Sequence, residues 1–165
     1  MSSKLISKKA IDFLNVRIKQ EEESSRLYEQ IALYFDDEGY FNLAKLYRQY
    51  SAEEMTHADW AKQYLLDFGL TPKLSALQEP HKDYKTPKEI FALTVEHEEF
   101  ITTEINKIAV EALQENDFVL FQLANRYQTE QQEEIGKAID LQDIEKLTKD
   151  GLLLDHYVGE HILEE

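Results

Sequence analysis

Cysteine is absent from the 165 residues, which excludes disulfides, a thiolate nucleophile and Cys-ligated zinc or iron–sulfur centres. Positive charge is scarce: 18 Lys and Arg stand against 33 Asp and Glu, a formal net charge of −15. Such a chain has little with which to neutralise a phosphate backbone, so nucleic acid is not expected as a partner and cations are. No apolar run approaches the ~20 residues that span a bilayer. The stretch Met1 to Lys9 lacks the apolar core of a signal peptide. The expected setting is therefore the cytoplasm, with no membrane partner. Glycine and proline are rare as well, 5 and 3 in number, with Pro72, Pro80 and Pro87 confined to one short region. So few breakers point to an all-α chain, and the length suits a single domain, 1–165, with a sizeable core.

The breakers divide the chain into five helical segments. The first runs from about Ser7 to Asp36 and ends in the turn Asp36-Asp37-Glu38-Gly39. The second spans about Phe41 to Phe68, stopped by Gly69 with Pro72 just beyond. Thr86-Pro87-Lys88-Glu89 reads as a capping box with proline at the first helical position, and the third helix ends near Asn116. Asp117 caps a fourth, reaching about Leu141 or a little further. A short fifth runs from Leu152 to about Ile162, after Gly151. Four amphipathic helices of similar length make a four-helix bundle, with the short fifth helix at its end or in an assembly contact.

Steps of three and four trace one buried seam along each long helix. The first is Ile11, Leu14, Ile18, Glu21, Ser25, Tyr28, Ala32 and Phe35; the second is Leu43, Tyr47, Tyr50, Glu54, His57, Ala61, Tyr64 and Phe68. The third is Phe91, Thr94, Glu98, Ile101, Ile105, Ile108 and Ala112; the fourth is Leu120, Ala124, Tyr127, Gln131, Glu134, Ala138 and Leu141. Each seam is interrupted near its middle by polar groups. Counted from the first turn, near Glu38, Glu21 lies 17 residues before it and Glu54 and His57 lie 16 and 19 after it. Counted from Asn116, Glu98 lies 18 before, and Gln131 and Glu134 lie 15 and 18 after. The 16-residue link Leu70 to Lys85 can extend ~53 Å, against ~42 Å for a 28-residue helix. It can therefore cross the whole bundle and set the second and third helices parallel, which brings all four interruptions to one height.

Buried carboxylates without counter-charge cost several kcal/mol each, and four together repel one another. Glu21, Glu54, Glu98 and Glu134 sum to −4 when ionised, which two divalent cations would balance, with His57 and Gln131 as neutral neighbours. Oxygen-rich ligation with one imidazole suits Fe(II) or Mn(II) better than structural zinc. The residues thus imply a carboxylate-bridged dinuclear centre. His81, His97, His156 and His161 have no converging partners in the pattern and are read as surface residues.

These motifs resemble those of a known family. Glu21-Glu22-Glu23-Ser24-Ser25-Arg26-Leu27-Tyr28, Glu53-Glu54-Met55-Thr56-His57, Glu98-Glu99-Phe100-Ile101-Thr102 and Glu130-Gln131-Gln132-Glu133-Glu134 are similar to the bacterial non-haem ferritins, and the likeness extends to Gly151-Leu152-Leu153-Leu154-Asp155. The resemblance implies the ferritin-like bundle with one long crossover. It implies a ferroxidase in which Glu21, Glu54 and His57 hold one iron, and Glu54, Glu98 and Glu134 hold a second. Gln131 would lie against the pair. Glu53, Glu130, Glu133 and Glu134 would form a third iron site on the cavity side, giving two to three irons per subunit. Tyr28 would stand next to the centre as a one-electron donor. The implied reaction is oxidation of Fe(II) by O2 or H2O2, with ferric oxyhydroxide stored in a hollow 24-subunit cage.

Departures from related patterns define the alternatives. Bacterioferritins carry Glu-x-x-His in the fourth helix, where this chain has Gln131-Gln132-Glu133-Glu134; Met55 falls at their haem-binding methionine, but haem is not expected here. Arg126 takes a slot that often holds tryptophan in bacterial ferritins. Besides the haem-containing bacterioferritin, the other readings are a stand-alone di-iron or di-manganese oxidase and a non-catalytic shell subunit.

Overall fold

A computed structural model describes residues 5–163; residues 1–4 of the amino-terminal stretch read above for a signal peptide lie outside them. The described residues form α1 (Lys8–Asp37), α2 (Phe41–Asp67), α3 (Pro87–Gln114), α4 (Phe118–Leu147) and α5 (Gly151–His161), with no strand among them. Local chemistry sets the ends. Ser7 Oγ accepts from the Ala10 N–H at 3.0 Å and Asp117 Oδ1 from Leu120 at 2.9 Å, each satisfying a donor that the helix leaves open. Gly39 and Gly69, at φ of 83° and 72°, take the left-handed turns that follow α1 and α2, where a side chain would be strained.

One cap and one helix end differ from the sequence reading, while α3 starts at Pro87 as expected. Thr86 Oγ1 does accept from the Glu89 N–H at 3.2 Å, but the Glu89 carboxylate accepts from Lys85 N–H at 3.1 Å, one residue ahead of the cap, so the reciprocal half of the capping box is not made. Helix α4 runs on to Leu147, because Ile144 still packs on the core.

The contacts define the topology. Helices α1 and α2 form one hairpin and α3 and α4 another, and α1 packs against α3. The crossover climbs along α1: Lys73 N–H donates to Asn15, Gln78 N–H to Glu23, and the Tyr84 ring meets Tyr34. Helix α3 therefore starts at the far end and descends parallel to α2 and antiparallel to α1, as Ser24 with His97 and Ser7 with Glu111 record.

Apolar packing falls into two halves. One gathers Leu14, Ile18, Ala61, Leu65, Ile101, Ile105, Leu120 and Ala124. The other gathers Ile31, Phe35, Leu43, Tyr47, Ile90, Phe91 and Leu141, with Leu154 and Val158 of α5 closing its end. Helix α5 is fastened there by buried Asp155, whose two carboxylate oxygens accept the Asn42 and Leu43 N–H groups at 3.2 and 2.9 Å. This supplies the start of α2 with the cap that its own Tyr40 does not give. The opposite face of α5 leaves Leu152, Leu153 and Tyr157 exposed.

Candidate metal centre

Between the two apolar halves lies a polar layer. Arg17, Glu21, Ser24 and Ser25 enter it from α1, Glu54 and His57 from α2, Glu98 from α3 and Gln131 from α4, all buried. Glu54 and His57 stand three residues apart, so one helical face presents both. Two groups of side chains in this layer can each bring three ligand atoms within 4.8 Å of one another: Glu21, Glu54 and His57, and Glu54, Glu98 and Glu134. Glu54 belongs to both. His57 Nδ1 lies 3.2 Å from Glu54 Oε2, 3.5 Å from Glu134 Oε1 and 3.9 Å from Glu21 Oε2.

The electrostatics favour either protons or a cation at these carboxyls. Burial, followed by the charges of Glu21 and Glu134, pushes the Glu54 carboxyl well above the usual carboxylate range. Burial and then Glu98 and Glu21 raise Glu134 to about 9. Burial raises Glu98, against the donors Tyr28 and Gln131, and burial also lowers His57, keeping its imidazole neutral and available as a ligand. Glu21 Oε2 is buried with no hydrogen-bond partner, an orphaned acceptor beside His57 that a divalent ion would satisfy.

Donors orient the ligands. The Tyr28 hydroxyl donates to Glu98 Oε1, while Gln131 Nε2 donates to Glu98 Oε2 and to its backbone carbonyl, so both carboxylate oxygens are held in place. Burial and the neighbouring carboxylates keep Tyr28 a protonated phenol. The Tyr127 hydroxyl donates to the His57 carbonyl at 2.6 Å, tying α4 to α2 at this level.

Glu53, Glu130 and Glu133 join no three-ligand group with Glu134 among the described residues. Glu130 Oε2 lies 3.9 Å from His57 Nε2, Glu53 Oε2 lies 3.9 Å from Lys137 Nζ, and Glu133 is exposed. Met55 is also exposed, on the outer side of α2.

Three features went unread in the sequence. His97 is half-buried, not the plain surface residue expected: its Nε2 lies 2.7 Å from Ser24 Oγ, its ring meets Tyr28 edge-on, and burial drives its imidazole down to about 4. Arg17 is buried beside Glu21; the four-residue spacing was the available signal, and it reads equally well as an ordinary surface pair. Trp60 packs 4.8 Å from the His57 ring, under the Arg126 guanidinium at 3.7 Å.

Comparison with known proteins places this geometry in context. The family model described as a ferritin-like domain matches residues 11–147. A probable bacterial non-heme ferritin-like protein of Haemophilus influenzae is 34% identical over 130 residues, 79% of each chain. The bacterial non-heme ferritin of Escherichia coli is 32% identical over the same share of both. Among solved structures, an open pore ferritin from the archaeon Archaeoglobus fulgidus superposes with a TM-score of 0.91 at 30% identity, covering 95% of this chain and 98% of that one.

Proposed function

Because this chain belongs to the ferritin-like domain family, we propose that it is a cytoplasmic iron-storage subunit that oxidises Fe(II) to Fe(III) at a di-iron site and retains the product as ferric oxyhydroxide. The observation that carries this reading is Glu54, one buried carboxylate common to two three-ligand groups. Iron is substrate and cargo here. Glu21, Glu54 and His57 would bind one ion and Glu54, Glu98 and Glu134 the other, and their negative charge favours the higher oxidation state. The pair supplies two electrons, which with two protons take O2 to H2O2, or H2O2 to water.

The remaining residues have assignable tasks. Gln131 holds Glu98 and need not touch metal. Tyr28, hydrogen-bonded to Glu98, holds that carboxylate in place; an electron from its phenol would be a third beside the pair's two, taken up only where O2 is reduced past H2O2, its proton then passing to Glu98. Glu53, Glu130 and Glu133 would guide iron between the pair and the mineral. Haem has no part in this scheme.

Self-assembly into a cage is supported by the apolar surface that a lone subunit leaves in water: Leu147 is 88% exposed, Leu152 82%, and Phe41 and Phe118 68% each. Stopped-flow absorbance of Fe(II) added aerobically, together with size-exclusion chromatography of the product, tests the proposal. A fast phase saturating at two irons per subunit, within a particle of many subunits that retains iron, is expected. A small oligomer, or oxidation no faster than in buffer, would contradict it.

A further inference from the structure

Arg17 is 1% exposed and lies in the same dry layer as the carboxylates. Its Nε stands 2.7 Å from Glu21 Oε1, one turn further along α1. None of its three nitrogens makes a hydrogen bond in the protein, so the Nε contact with Glu21 is an ion pair without hydrogen-bond alignment, an expensive state for a buried guanidinium unless the surrounding negative charge compensates it. Glu21 is thereby divided: Oε1 faces the guanidinium, and Oε2 is unpartnered, 3.9 Å from His57 Nδ1.

We infer that Arg17 is a resident cation of the centre, a positioning residue that pairs with one oxygen of Glu21, leaves that carboxylate a single atom for metal, and cuts the charge of the four ionised carboxylates from −4 to −3. The inference rests on the di-metal reading above and adds a task to it. A fixed positive charge opposes each bound ion in proportion to that ion's charge, so it works half as hard again against Fe(III) as against Fe(II). Arg17 therefore weakens the hold on product more than the hold on substrate, which favours clearing the site toward the mineral.

Equilibrium binding of Co(II), followed by its visible absorption, and of Tb(III), followed by luminescence, to the assembled protein tests this. Arg17→Gln should bind Co(II) about tenfold tighter and Tb(III) more strongly enhanced still, with Arg17→Lys returning both toward the parent. A purely structural role would instead weaken both ions alike. Unchanged or weaker binding in Arg17→Gln, or an equal gain for the two ions, overturns the inference. A measurement on the parent protein needs no variant: crystals soaked in Co(II) should show Glu21 bonded through Oε2 alone, with Arg17 Nε still ~3 Å from Oε1. A two-oxygen Glu21 chelate would overturn it. A parent that binds neither ion at the centre would remove the di-metal reading and this inference together, whereas normal parental binding with an indifferent Arg17→Gln removes this one alone.

Discussion

Glu54→Ala should slow Fe(II) oxidation by about 100-fold or more, measured by stopped flow at two irons per subunit. Its carboxylate is common to both ligand groups, so its loss leaves two ligands in each, Glu21 with His57 and Glu98 with Glu134. No neighbouring side chain in the layer can replace a bridge. The fold should survive, because the substitution also removes one of four mutually repelling buried carboxyls; its own pKa, pushed up by burial and by Glu21 and Glu134, records that strain. The metal-free variant should therefore melt no earlier than the parent, which separates lost chemistry from lost structure. A folded Glu54→Ala protein that oxidised iron at the parental rate would remove Glu54 from its assigned place.

Metal-free protein should lose stability as pH rises from 6.5 to 9, and metal should restore it. The sign follows from the carboxyls. Burial raises Glu54, Glu98 and Glu134 in the folded chain, Glu134 to about 9, whereas unfolded carboxyls titrate near the ordinary value of 4.5. Between these limits the folded state binds more protons than the unfolded state, so stability falls as pH rises. His57 and His97 are lowered by burial and act in the opposite sense, but their contribution is complete once the unfolded imidazole has titrated, near 6.5. The window above it belongs to the carboxyls. Calorimetry should show the metal-free Tm dropping by roughly 5 °C across that window, and saturating Co(II) raising it by roughly 10 °C at pH 9 and by less at 6.5. A flat profile with no response to Co(II) would mean that the layer carries neither protons nor metal.

Much of this architecture was legible because the seams are long and regular. Ile101, Ile105, Ile108 and Ala112, or Leu43, Tyr47 and Tyr50, recur at helical spacing, and each lies in one of the two apolar halves. The crossover was legible from reach alone, since 16 residues suffice to return along a helix and no shorter route joins parallel neighbours. The polar layer could be located because Glu-x-x-His on one helix and single Glu residues on the others fall at equal distances from their turns.

What escaped was decided by packing between helices. Arg17 sits one position from the seam residue Ile18, and only the approach of the other helices turns a surface-type pair with Glu21 into a buried one. His97 is adjacent to Glu98 and would point away from the seam, yet Ser24 of α1 reaches it. The exchange of cation and indole between Arg126 and Trp60 needs the geometry of two helices at once. The end of α4 escaped for a simpler reason: Gln142 to Leu147 contains neither glycine nor proline, and nothing local marks a stop at Leu141.

Trp60 is the chain's sole tryptophan, and its ring lies 4.8 Å from that of His57 with a guanidinium over its face. Indole emission from this subunit therefore has a single source, stationed against an imidazole that faces the incoming ion. Light from one ring becomes a label-free gauge of occupancy: an open-shell ion such as Co(II) should dim it, while closed-shell Zn(II) should leave it bright.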